Sequence, residues 1–69
     1  MKVGDRVVVV SGYEWDSKLC AGNTGTVSEV LTKGTPTLNG KIVYSVVMDN
    51  GYYIRGGWAY YEHELEEIQ

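Results

Sequence analysis

Phenylalanine is missing from this chain, although it carries six tyrosines and two tryptophans. Tyrosine and tryptophan have polar tips that need partners when buried, so a small core built from them should leave several rings at the surface. Cysteine is almost missing as well. Cys20 stands alone, which excludes an intramolecular disulfide and the disulfide scaffold of many small secreted domains; a reducing cytoplasm fits such a chain best. With His63 as the single histidine, the four closely spaced ligands of a structural zinc site are lacking. No apolar run approaches the ~20 residues that span a bilayer. The start, Met1 to Asp5, holds Lys2 and Asp5 instead of an apolar leader, so neither a membrane partner nor targeting is expected. Nor is there an excess of positive charge. Six Lys and Arg face nine Asp and Glu, for a net charge of -3 and a pI of about 4.9, the reverse of the basic footprint behind most non-specific nucleic-acid affinity.

What is present is strand-forming sequence. The 69 residues suffice for one domain, residues 1–69, burying about 60% of the surface its unfolded chain exposes. Nine glycines, one proline and frequent Val, Thr, Tyr and Ile favour short strands joined by tight turns. Arg6 to Val10 reads as a first strand closed by Ser11-Gly12. Periodicity lapses from Tyr13 to Asn23, which reads as a long loop, a kind of segment that tends to carry function. Thr24 to Leu31 is a half-buried strand whose apolar spacing slips near Glu29, the mark of a bulge or strong twist. Thr32 to Gly40 reads as an exposed hairpin loop.

Lys41 to Met48 is apolar on both faces and is expected to be the central strand. Asp49-Asn50-Gly51 then predicts a type I′ hairpin turn. Tyr52 to Arg55 returns, Gly56-Gly57 interrupts, Trp58 to Tyr61 resumes, and Glu62 to Leu65 suggests one 3-10 turn before a last strand ending at Ile68. The pattern predicts an all-β fold: a five-stranded SH3-like barrel with one short 3-10 turn before the last strand.

Gly4-Asp5-x-Val7-x-Val9, Ser11-Gly12, and Gly22-x-Thr24-Gly25-Thr26-Val27 with Val30 resemble the KOW motif of ribosomal and transcription-elongation barrels. In that pattern Gly25 would permit a tight corner before the second strand. The Tyr13 to Ala21 connection is longer than the usual KOW one, and Glu14 and Asp16, with only Lys18 nearby, stand where that family presents basic residues to RNA. The second half, with Tyr44-x-Val46, Asp49-Asn50-Gly51 and Tyr61-Glu62-His63-Glu64-Leu65, resembles small bacteriophage and prophage SH3-like proteins of the YorP type and, more distantly, the photosystem I PsaE subunit. The resemblance implies an SH3-like fold and the cytoplasm of a bacterial cell or phage-infected host; it implies no reaction and no cofactor.

Candidate chemistry is sparse. Glu62, His63 and Glu64 are adjacent on one turn and point apart, which suits solvation or capping better than metal binding. A Cys20–His63 nucleophile pair lacks an evident third, orienting residue. The carboxylates Glu62, Glu64, Glu66 and Glu67 read more simply as a solvated face than as an acid/base pair. Gly56-Gly57 and Gly22-x-x-Gly25 lack the lysine of a phosphate-binding loop. No catalytic residue, metal or cofactor is expected, and the chain reads as a non-enzyme.

The aromatic residues carry the strongest signal. On a strand, neighbours face opposite sides, so one of Tyr52 and Tyr53 and one of Tyr60 and Tyr61 should point outward. Tyr13, Trp15, Tyr53, Trp58 and Tyr60 are the candidate ligand-binding residues, forming a patch between the long loop and the later hairpin. The structural alternative has Trp15 and Trp58 capping the barrel ends. Three functional readings follow. The chain is a protein-interaction module whose acids select a basic protein partner; or a KOW-like nucleic-acid or ribonucleoprotein contact using Lys2, Arg6, Lys18, Lys33, Lys41 and Arg55; or an accessory subunit that stabilises a larger complex.

Overall fold

The computed structural model describes residues 1–31, 42–54 and 59–68. The expected hairpin loop of Thr32 to Gly40, the Gly56-Gly57 break and Trp58 lie outside the described residues. Every described strand pairs antiparallel, and the one helical element among them is a 3-10 turn. The strands are β1 (Arg6–Val9), β2 (Thr24–Leu31), β3 (Val43–Met48), β4 (Tyr53–Ile54), β5 (Tyr60–Tyr61) and β6 (Leu65–Glu67). Glu62–Glu64 form the 3-10 turn that feeds β6.

Neighbour order in the sheet is β4-β3-β2-β1-β6, with β5 also on β3. β3, expected to be the central strand, lies inside the sheet with both edges paired, next to β2 at the middle of that order. One edge pairs with β2, and the other takes β4 opposite Val46 and Val47 and β5 opposite Val43 and Tyr44. Among the described residues six strand segments appear where five strands are expected, with β4 and β5 both paired to the same edge of β3.

Period-two alternation places the core. Val7 and Val9 of β1, Val27 of β2, Tyr44, Val46 and Met48 of β3, Ile54, Tyr60 and Leu65 are buried together, joined by Leu19 from the long loop. Each buried aliphatic side chain of this size contributes about 2 kcal/mol relative to exposure. The expected slip in β2 is a bulge. Val27 faces Val46, Glu29 faces Ser45, and Ser28 is the extra residue. Gly25 lies inside β2 and has no left-handed φ, so the expectation that it frees a corner before that strand is corrected. A Cβ there would come 2.6 Å from the Val47 carbonyl oxygen and 2.7 Å from Val46 Cγ1, so the requirement is for space between β2 and β3.

The Asp49–Gly51 turn also departs from expectation. A type I′ turn needs positive φ at both central residues, but among the described non-glycine residues only Tyr13 has one. Instead the Gly51 N–H donates to Met48 O at 3.0 Å, and Gly51 alone turns left-handed at φ 96°. This is the three-residue hairpin in which a glycine closes the loop as a bulge. Its extra residue leaves Tyr52 in the turn and Tyr53 facing away from the core, so both rings are exposed. Strand alternation puts one of this pair outward; here both are.

Candidate functional site

The long loop leaves β1 beside the 3-10 turn, where the Val10 N–H donates to Glu64 O at 2.8 Å. Two successive left-handed residues, Gly12 at φ 94° and Tyr13 at φ 55°, then redirect the chain. Glycine takes that conformation freely, and a tyrosine there is uncommon. The Tyr13 ring meets Tyr60 edge-on, with centroids 5.0 Å apart and planes at 76°, and its hydroxyl donates to Ala59 O at 3.2 Å. Trp15 projects from the next turn with 74% of its surface exposed, its ring 5.4 Å from that of Tyr13.

The rest of the loop is held from within. Asp16 N donates to Tyr13 O, the Asp16 carboxylate accepts from Lys18 N at 2.9 Å, and its carbonyl accepts from Leu19 N and Cys20 N at 3.0 Å each. Such local side-chain-to-backbone bonding is how aspartate builds turns. Asn23 Nδ2 donates to Ser17 O at 3.0 Å and Cys20 O at 2.8 Å. Beneath them the Tyr60 hydroxyl donates to Leu19 O at 2.6 Å. Burial first, then the carboxylate of Glu64, raises the pKa of the Tyr13 hydroxyl; burial and the Tyr13 hydroxyl do the same for Tyr60. Both are neutral donors at neutral pH.

Acidic groups border this aromatic pair. Glu14 is exposed between the two rings in sequence, and Glu62, His63 and Glu64 follow on the adjoining 3-10 turn, where the His63 ring stacks on Tyr61 at 5.8 Å with planes 12° apart. Glu64 is fixed by its Oε1, which accepts from Tyr61 N at 2.8 Å. The structure therefore brings Tyr13 and Trp15 together over Tyr60. Tyr60 itself is fully buried, so its place among surface ligand-binding residues is corrected: it is the support under Tyr13. Tyr53 stands elsewhere, on the outer sheet face beside Val47, its hydroxyl 3.5 Å from Ser28 Oγ. Trp58 is outside the described residues.

The chain matches no family model, no curated protein and no solved structure. The remaining surface groups must therefore be read from their own geometry. On the outer face Arg6 makes two 2.7 Å bonds to the Asp49 carboxylate, which also accepts from the Thr24 hydroxyl. These bonds hold the Asp49 carboxyl well below the usual carboxylate range. Lys2 lies 3.6 Å from Asp5, and the Lys18 ammonium sits 5.0 Å over the Tyr52 ring. Every described lysine and arginine thus has an intramolecular partner. Among the described residues no group of three or more His, Cys, Asp or Glu is placed to hold a metal, and no helix is long and apolar enough to cross a membrane.

Sequence reading missed the Arg6–Asp49–Thr24 cluster and the role of Glu64. The three partners of the first are far apart in sequence, and Glu64 looked like one more member of a solvated acidic run.

Proposed function

We propose that this chain is an SH3-like barrel that serves as a protein-interaction module and binds a basic segment of a partner through Tyr13 and Trp15. The β1–β6 pairing, the split return strand on β3 and the 3-10 turn before the last strand support the barrel reading. The observation that carries the functional reading is Trp15, a large ring left 74% exposed on a loop whose own hydrogen bonds fix its backbone. A preorganised aromatic anchor loses little entropy on binding, and Glu14 next to Trp15 in the chain and Glu64 beside Tyr13 favour a cationic partner. The cytoplasm of a bacterial cell or an infected host is the proposed setting, and the proposal includes no catalysis.

The pairing of Lys2 with Asp5 and of Arg6 with Asp49 weakens the KOW-like reading, because a cation already paired with a carboxylate contributes less phosphate affinity. The test is affinity capture from bacterial lysate with and without nuclease, comparing the native chain with a folded Trp15→Ala variant. A protein retained after nuclease and lost with Trp15 is the expected result. Retention that nuclease abolishes would replace this reading with the nucleic-acid one.

A further inference from the structure

The turn between β3 and β4 carries a reactive pair and a tether at the same residue. Asn50 is exposed and followed by glycine, the neighbour that least hinders attack of a backbone nitrogen on an asparagine side chain. Its Nδ2 donates to Lys18 O at 2.8 Å and reaches Asn23 Oδ1 at 3.4 Å, while its Oδ1 accepts from Tyr52 N at 3.1 Å. This one amide therefore joins the hairpin to the loop that bears Tyr13 and Trp15.

We propose that Asn50 is a fold-gated deamidation site whose conversion unfastens the hairpin from the 13–23 loop. The Gly51 nitrogen attacks Asn50 Cγ and loses its proton; the new C–N bond closes a five-membered succinimide as the side-chain nitrogen leaves as ammonia. Water then opens the ring at either carbonyl, giving aspartate or isoaspartate. Water is the only co-reactant, and no redox change occurs. In the folded turn the Gly51 N–H is bonded to Met48 O, and both ends of the Asn50 amide are held by other partners. The two reacting atoms come together only when the turn opens, so the reaction rate follows that local opening.

The product cannot rebuild the tether. A carboxylate has no proton to donate, and at position 50 it would set a negative oxygen against two acceptors, Lys18 O and Asn23 Oδ1. Isoaspartate also adds a methylene to the backbone of a turn whose closing bonds run from Gly51 N to Met48 O and from Met48 N to Tyr52 O. The change is one-way, and it acts on the aromatic loop from the opposite end of its backbone.

The test is peptide mapping by mass spectrometry of purified protein incubated at mildly alkaline pH, folded and in urea. Asn39, which also precedes a glycine, gives the reference rate in urea, and Asn23, which does not, gives the background. In urea Asn50 should convert like Asn39 and well ahead of Asn23, and folding should slow Asn50 by at least about tenfold, the factor given by an opening cost of about 1.4 kcal/mol. Equal folded and unfolded rates would overturn the gating, and an Asn50 rate in urea no faster than that of Asn23 would overturn the site. The second arm is amide hydrogen exchange of Asn50→Asp beside Asn50→Ala. Faster exchange at Leu19 and Cys20 in both, and faster in Asp than in Ala, is expected. Exchange like the native chain in Asn50→Asp would overturn the tether. Neither arm depends on what binds Trp15.

Discussion

Two corners of the molecule treat their exposed chemistry in opposite ways. On the outer sheet face, charge is satisfied internally: Arg6 is forked onto Asp49, and Thr24 bonds the same carboxylate. At the loop corner the internal bonds are spent on the backbone and on two tyrosine hydroxyls, and the apolar face of Trp15 is left uncovered. The first corner holds strands together. The second holds a loop still so that one ring can stay exposed, which is why the interaction proposal rests there.

Removing the support under the loop tests this contrast most severely. Tyr60→Ala deletes a fully buried ring that backs Tyr13 and anchors Leu19, and should cost about 4 kcal/mol in urea unfolding. Tyr60→Phe, which keeps the ring and loses the hydroxyl bond, should cost about 1 kcal/mol. Gly25→Ala crowds Val46 and Val47 where β2 meets β3 and should cost about 2 kcal/mol, with no selective effect on either corner.

The outer corner should announce itself through pH. Asp49 has a depressed folded pKa, so its contribution is complete above the unfolded value of about 4 and is lost as the pH falls below it. Stability against pH below about 4 should therefore fall less steeply in Asp49→Asn than in the native chain, measured by denaturation at each pH. The smallest effect on stability belongs to Trp15→Ala, within about 0.5 kcal/mol because the ring is exposed. A large loss there would make Trp15 a structural cap and erase the contrast.

The strands and the bulge were legible because valine alternation and its slip near Glu29 are local signals, and the 3-10 turn lies where Glu62 to Leu65 suggests it. The Asn-Gly pair marked a turn but not its type, since whether Asn50 takes the left-handed conformation is decided by how the hairpin closes around Gly51. That one-residue difference placed both Tyr52 and Tyr53 outside. In the candidate site, Tyr13 and Trp15 were legible as loop aromatics, whereas the burial of Tyr60 was not. Its hydroxyl is satisfied by a carbonyl 41 residues away, and no local pattern encodes such a distant partner.

The left-handed backbone at Tyr13 also limits what evolution or design can place there. Glycine would relax the dihedral and lose the ring, Asn or Asp would tolerate the dihedral and lose the packing on Tyr60, and valine or isoleucine would meet steric conflict as well as lose the contact. A saturation library at position 13 should therefore split into two groups of survivors. One keeps a flat ring and accepts the strained backbone, the other keeps an easy backbone and gives up the platform for Trp15, and few sequences lie between them.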